Sequence, residues 1–448
     1  MVKTLAQTLL AGNVLKGSAT AFSIKLAASI AGFAMFALSS RYMEPVSFGS
    51  LAIVFNAMSF FAVIALCGQE TLIVRSWEEY RGSNRPDLAR GALIFGVQVV
   101  AGVGLAMAAT VALAWSAWDR HVPLSLALAA CAYLFAYALM QFSGQFARVA
   151  AGVTIGEIPR EFMWRAIVVA TITAHHLIGA EFDSTDFFLT SAVALAVALV
   201  VQVSLVAPVI PEAVRHSKAE RDVKAWIPRS FNMWLSALLD TTSQYLEVVV
   251  IGFVLGPAAA GFYFVATRIT NVFAMITGAI SIYVTPQISN LFYTNAKDDL
   301  QAILRSLALI GAVLIGGGFL VIVVAGKLLL WAFGTAYISA YPALLVLAAG
   351  AVVGALAGPA PHVLLLTGHE RTYPRVVAAA LIVRFALIGI LGSMFGLMGA
   401  VVAWSISTVI MSLCLIVACR RLVGLDPSLS FAVGLSRQHL AQLRGGAS

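Results

Sequence analysis

The sequence predicts an all-α polytopic membrane protein, with about 12 transmembrane helices arranged as two six-helix lobes and both termini on the cytoplasmic side. Three observations carry that expectation. The 448 residues are 61% hydrophobic and only 11% charged, against about 25% charged in an ordinary soluble domain. Apolar runs repeatedly reach the ~20 residues that a helix needs to cross a bilayer core. One turn is also written twice. "YMEPVSFGSLAIVF", from Tyr42, and "VLGPAAAGFYFVAT", from Val254, each follow an apolar run and set a proline four residues ahead of a glycine. The pairs Pro45–Gly49 and Pro257–Gly261 share one offset, 212 residues.

Turn residues and charges cut the chain into apolar segments. In the first half they fall at roughly 21–41, 48–69, 91–115, 124–146, 162–180 and 187–208. The second half gives roughly 232–255, 258–285, 303–325, 342–366, 376–395 and 399–419. A lipid-facing backbone must satisfy its own hydrogen bonds, and no run alternates like a barrel strand, so the segments are helices. Residues 1–20 start like a leader, but Asn13 and Lys16 interrupt the apolar run and no small-residue cleavage site follows. They are expected to stay as a cytoplasmic amphipathic segment. The N-lobe is then 21–208, a basic cytoplasmic linker spans 209–231, and the C-lobe is 232–419. Residues 420–448 form a cytoplasmic tail, with Arg420 and Arg421 at the inner end of the last helix and an amphipathic stretch beyond. An even number of helices per half gives both copies the same orientation, a parallel repeat of the kind secondary transporters use.

Charge sets the orientation. Of the 28 Lys and Arg residues, the outer loops hold only Arg41, Arg120 and Lys327, while Lys25, Arg268 and Arg384 fall inside helices. All the others gather on the opposite face, which is the positive-inside bias. The net charge of +8 therefore reports topology, and no nucleic-acid partner is expected. Cys67, Cys131, Cys414 and Cys419 lie in apolar runs without a CxxC pair, so neither a metal nor a disulfide framework is expected. There is no P-loop, GxSxG or HExxH, and no outer loop large enough for a catalytic domain. "EFDSTD" (181–186) is a solvated turn. The expectation is a transporter without a cofactor, not an enzyme.

The informative residues are then the polar ones at membrane depth. These are Lys25 in the first helix, Asp240 and Glu247 in the seventh, Arg268 in the eighth and Arg384 in the eleventh. Each charge near mid-helix costs about 2.5–3.5 kcal/mol on insertion scales, so each should face water, a counter-charge or a ligand. Pairing of Lys25 or Arg268 with Asp240 or Glu247 is one reading, although three cations outnumber two acids. Lys25 can also snorkel to the interface. Ser236, Asp240, Ser243, Gln244 and Glu247 recur at spacings of three and four, a polar stripe that implies a water-filled cavity beside helix seven. Asn56 stands in helix two where Arg268 stands in helix eight, at the same 212-residue offset. "EIPREFMWR" (157–165) brings Arg160 and Arg165 to the start of helix five as a candidate cytoplasmic portal, where topology alone also expects cations. His175 and His176 near that helix's outer end read as hydrated groups.

Four stretches, in chain order, resemble one family. Residues 39–75 ("…YMEPVSFGSLAIVFNAM…") and 248–292 ("…IGFVLGPAAAGFYFVATRIT…") are similar to the hairpins that open the two halves of the Wzx-type polysaccharide flippases, in the multidrug/oligosaccharidyl-lipid/polysaccharide (MOP) exporter superfamily. "FGTAYISAYPALL" and "FGLMGAVVAWSIS" look like the stretches around that family's tenth and twelfth helices. The resemblance implies two lobes around a central cavity lined by helices one, two, seven and eight. It implies passage of an undecaprenyl-diphosphate-linked oligosaccharide between leaflets of the bacterial inner membrane, by alternating access with H+ or Na+ coupling. Lys25 and Arg268 would then hold the diphosphate, with Arg384, where relatives often carry Asn, touching diphosphate or sugar, and Asn56 in the same cavity. Asp240 and Glu247 would couple transport. Partners would be the lipid-linked substrate, membrane lipids and other polysaccharide assembly proteins, with the chain a monomer. A MATE-like drug/cation antiporter of the same fold is the alternative, and a membrane-embedded polymerase or ligase is less favoured for want of a catalytic loop.

Overall fold

The computed structural model describes residues 2–118, 123–294, 296–355, 357–369 and 371–428. The outer-loop Arg120 and the amphipathic tail beyond Ser428 lie outside them. The described residues are helical nearly throughout, with no strand among them, and ten helical segments are long and apolar enough to cross a membrane. The all-α polytopic architecture is borne out.

The first unit spans Met1–Val249. Its helices are α1 (Val2–Tyr42), α2 (Pro45–Leu66), α3 (Gln69–Gly82), α4 (Pro86–Trp118), α5 (Leu124–Ala151), α6 (Val153–Glu157), α7 (Trp164–Leu177), α8 (Ser184–Val206), α9 (Glu212–His216) and α10 (Val223–Thr241). Helix α5 runs through the middle, packed on α2, α4 and α8. Its Tyr133 is fully buried and meets the rings of Phe55, at 5.4 Å between centroids, and Phe188, at 5.7 Å. The phenol is not left dry: its OH lies 3.0 Å from Ser59 Oγ, as a buried hydroxyl requires.

The second unit spans Val250–Ser448. It holds α12 (Pro257–Tyr293), α13 (Lys297–Trp331), α14 (Tyr341–Ala355), α15 (Ala360–Leu366) and α16 (Thr372–Ala418). The division falls within α11 (Glu247–Leu255), which follows a π turn at Thr242–Leu246. Helices α12, α13, α14 and α16 pack together, closed at one end by Val284, Ile288, Leu300, Leu304, Val363 and Leu364.

The repeated motif marks a helix start. Pro45 opens α2 behind the extended Glu44, and Pro257 opens α12 behind Gly256 at φ 87°. Proline suits that position because the missing N–H would have had no helical partner anyway.

Three features depart from the sequence reading. Ten segments stand where twelve were expected, and two places account for the difference. Residues 153–177 are split by a π turn at Ile158–Met163 into pieces too short to span alone, and Thr372–Val423 counts once although Gly396, at φ 63° and ψ −145°, breaks α16 into two arms. The stretch 1–20, expected as a separate surface segment, continues without a break into α1, because it contains no proline and isolated glycines do not stop a helix. Helix α10, read as the head of the second half, packs in the first unit. The Trp226 indole, fully buried, donates to Tyr80 OH at 2.8 Å, and Trp234 Nε1 donates to Ile64 O at 3.1 Å. Gly68, at φ 72°, lets this happen: a Cβ there would overlap the Ser230 carbonyl oxygen.

The expected linker is a fitted strap. Glu220 N donates to Asp87 O at 3.1 Å, Ser217 Oγ donates to Pro86 O at 3.1 Å, and Arg90 donates to Ser217 O. Gly91 of α4 leaves the space that the Glu220 carbonyl fills.

Candidate functional site

The polar machinery of the first unit is organised by Pro159. Proline has no N–H to give the Ile155 carbonyl, and the helix widens into the π turn. Gln202 of α8 supplies the missing donor: its Nε2 donates to Ile155 O at 2.9 Å and to Gly156 O at 3.0 Å. The turn carries Arg160 inward against α5, where Gly144 leaves room that a Cβ would take. Arg160 is 8% exposed and bridges Glu157 (2.6 Å) and Glu161 (3.3 Å), while Nη1 donates to Gln141 at 3.3 Å. The Trp164 indole donates to Arg160 O at 2.9 Å and locks the turn. Arg148 lies 3.6 Å from Glu157.

Arg165 completes the cluster. It pairs with Glu161 Oε2 at 3.0 Å, lies over the Trp164 ring at 4.9 Å and packs beside Gly32 of α1. The sequence placed it at the mouth of helix five. In the structure the helical run begins at Val153, so Arg165 sits twelve residues, ~18 Å, from the far end at Leu177. Lys25 of α1 is exposed, on a helix that packs against this turn. Glu157, Glu161, Gln141 and Gln202 were missed by sequence reasoning. The available signal was "EIPRE" itself, a proline among alternating charges inside a helical run.

The polar stripe expected on helix seven is not continuous. The π turn at Thr242–Leu246 resets the angular register, so Asp240 and Gln244 are exposed while Glu247 is 6% exposed. The side chain of Ser236 lies outside the described residues. Tyr245 turns inward, its OH 3.3 Å from Tyr137 OH. Asn56 is fully buried and donates to Ala52 O at 2.7 Å, its Oδ1 without a partner among the described residues.

The second unit holds Arg268 and Arg384. Arg268 is eleven residues from the start of α12 and Arg384 twelve from Gly396, ~16 and ~18 Å respectively. Arg268 is half-buried with its guanidinium over Phe264 at 4.4 Å. Arg384 is 3% exposed and reaches across the hairpin: Nε donates to Ser407 Oγ at 2.9 Å, Nη2 to Thr408 Oγ1 at 3.1 Å, and the guanidinium lies 5.6 Å from the Trp404 ring. These bonds tie the two arms of α16 together. Among the described residues no group of His, Cys, Asp and Glu is placed to hold a metal ion.

Comparison with known proteins places this arrangement. A family model described as "Polysaccharide biosynthesis protein" matches residues 14–292, well over half of the chain. The probable flippase AglR of Haloferax volcanii is 33% identical over 97 residues, 19% of this chain and 20% of that protein; the match thus spans about a fifth of that relative. An inward-facing multidrug resistance MATE family transporter of the MOP superfamily superposes with a TM-score of 0.72 at 13% identity, over 91% of this chain and 98% of that one. The lipid II flippase MurJ, in an inward closed conformation, gives 0.66 at 11% identity over 89% and 87%. A MOP superfamily transporter from Pyrococcus furiosus gives 0.63 at 11% over 92% and 95%. Such identities establish the fold alone. With the family model covering most of the chain, the chain belongs to the polysaccharide biosynthesis protein family, and it shares the fold of these transporters.

Proposed function

We propose that the chain is a flippase, a transporter and not an enzyme, which carries an undecaprenyl-diphosphate-linked oligosaccharide from the inner to the outer leaflet of the bacterial cytoplasmic membrane for cell-surface polysaccharide synthesis. The family membership and the flippases among its relatives support the lipid-linked class. The observation that carries the reading is Arg268: a half-buried cation ~16 Å below the head of its helix, laid on an aromatic face. A multiply anionic diphosphate would meet such a group at low dielectric, where charge-assisted contacts are strongest. Lys25 offers a second cation on the first unit. Arg384, tied to Ser407 and Thr408, positions the hairpin. Asp240 and Glu247 are the acids for H+ or Na+ coupling of an alternating-access cycle. Twelve passes with cytoplasmic termini follow if the π-broken run and each arm of α16 cross separately. The chain works as a monomer alongside other polysaccharide assembly proteins.

The test replaces Arg268 by Ala and, separately, by Lys, and measures arrival of the lipid-linked oligosaccharide in the outer leaflet at matched membrane abundance. Loss in Ala with partial recovery in Lys is expected. Full transport by both variants would remove Arg268 from the path. The MATE-like antiporter reading draws on the fold of the first structural neighbour; efflux of a cationic dye by the wild-type chain, with no effect on lipid-linked sugar, would favour it.

A further inference from the structure

The cluster at the π turn carries more positive charge than its neighbours balance. Among the described residues, Arg148, Arg160 and Arg165 pair with the two carboxylates of Glu157 and Glu161, and Lys25 stands on α1, which packs against this turn. Two charges are left over, and a diphosphate diester carries two ionised oxygens. The inner half of the cluster is closed: Glu157 and Arg160 are buried, and Arg160 Nε is a buried donor with no acceptor among the described residues. The outer half is open. Lys25 is exposed, and the side chains of Glu161 and Arg165 are 24% and 20% exposed. Glu161 thus occupies the place of an anion, its two oxygens shared between Arg165 at 3.0 Å and Arg160 at 3.3 Å, with Lys25 on the packed α1.

We propose that this cluster is an anion subsite for the diphosphate of the lipid-linked substrate, and that Glu161 is its resident competitor. The inference rests on the flippase reading above. Phosphate oxygens take Arg165 and Lys25 on the open side, and the Glu161 carboxylate swings clear, its place beside Arg160 passing to the phosphate. When the substrate moves on, Glu161 closes back over the same cations. An internal competitor keeps the subsite from becoming a trap, since a translocation path needs binding weak enough to leave. Gln202 and Trp164 hold the π turn in shape while the carboxylate exchanges.

The test uses the purified full-length chain in detergent and a short-chain prenyl-diphosphate-N-acetylglucosamine as probe, with the matching prenyl phosphate as control. Removing the competitor in Glu161→Gln should tighten diphosphate binding about tenfold, because the fraction of open subsite rises, with a smaller gain for the monophosphate. Lys25→Ala and Arg165→Gln should each weaken it by about tenfold. Should the wild type bind the probe, and Arg268→Ala weaken it, while the Glu161, Lys25 and Arg165 variants bind as the wild type does, the subsite is wrong and the flippase reading stands. Should the wild type bind neither probe, the flippase reading fails and takes the subsite with it. If Glu161→Gln does not fold, Lys25→Ala decides, since Lys25 is exposed: unchanged affinity overturns the proposal.

Discussion

Replacing Gly91 by alanine should free the strap that runs between α8 and α10. A Cβ at Gly91 overlaps the Glu220 carbonyl oxygen, which is backbone and cannot swing aside as a side chain would. Alanine is the better helix former by about 1 kcal/mol, so α4 itself gains and any loosening comes from the clash. The strap would lose Glu220 N to Asp87 O, Ser217 Oγ to Pro86 O, and Arg90 to Ser217 O. At ~0.5–1.5 kcal/mol net for each bond, the opening becomes easier by roughly 2–4 kcal/mol, about 30- to 1,000-fold in population. The ion pairs of Arg85 with Asp87 and Glu220 are exposed and are left out of the sum. Arg215, Lys218 and Arg221 make the strap a trypsin substrate once it lifts. Limited trypsinolysis of the detergent-solubilised protein therefore reads the effect, because cleavage of a briefly opened segment tracks its open population. Faster cleavage confined to 215–221 is expected. Cleavage at the wild-type rate would show that the strap is not held by this contact.

Three further outcomes follow from the helix interiors. Gln202→Leu strips the Ile155 and Gly156 carbonyls of their donor, at ~1–3 kcal/mol for each group left dry, and should lower the thermal midpoint in detergent more than a Leu substitution at the exposed Gln244 does. Ser407→Ala removes the hydroxyl that Arg384 Nε meets at 2.9 Å, a bond to a charged group, and should destabilise by about 1.5–3 kcal/mol, whereas Arg384→Met, which removes the charge and fills the space, should cost less than Arg384→Ala. Gly396→Ala forces a side chain into φ 63°, ψ −145°, at about 1–3 kcal/mol, and should reduce folded protein in the membrane fraction; undiminished abundance would mean that the two arms of α16 do not need this break.

Much of the candidate chemistry was visible as residue type and little of it as geometry. Arg268 and Arg384 stand out in any reading, because an isolated cation in an apolar run is costly in lipid. Their roles diverge only in space: one lies half-buried on Phe264, the other is closed between the arms of a hairpin. Glu157, Glu161 and Gln202 passed unnoticed because charges at the edge of a predicted helix look like loop residues. Only the π turn, and a glutamine more than forty positions away, reveal them as one network. The polar stripe on helix seven failed for a related reason, since a spacing argument assumes 3.6 residues per turn and the π turn breaks that period.

By itself the sequence determined what composition and transfer free energy decide. A chain so apolar must span the membrane as helices, and a proline at the head of α2 and of α12 opens each helix. Tertiary structure alone decided which polar groups meet. The strap from 211 to 222 fits onto α4, α10 joins the first unit, and the helix that carries Lys25 packs against the π turn at Ile158–Met163. These pairings depend on close approach at single glycines and on a carbonyl acceptor left over by a proline, contacts between positions far apart in the chain that no local periodicity encodes.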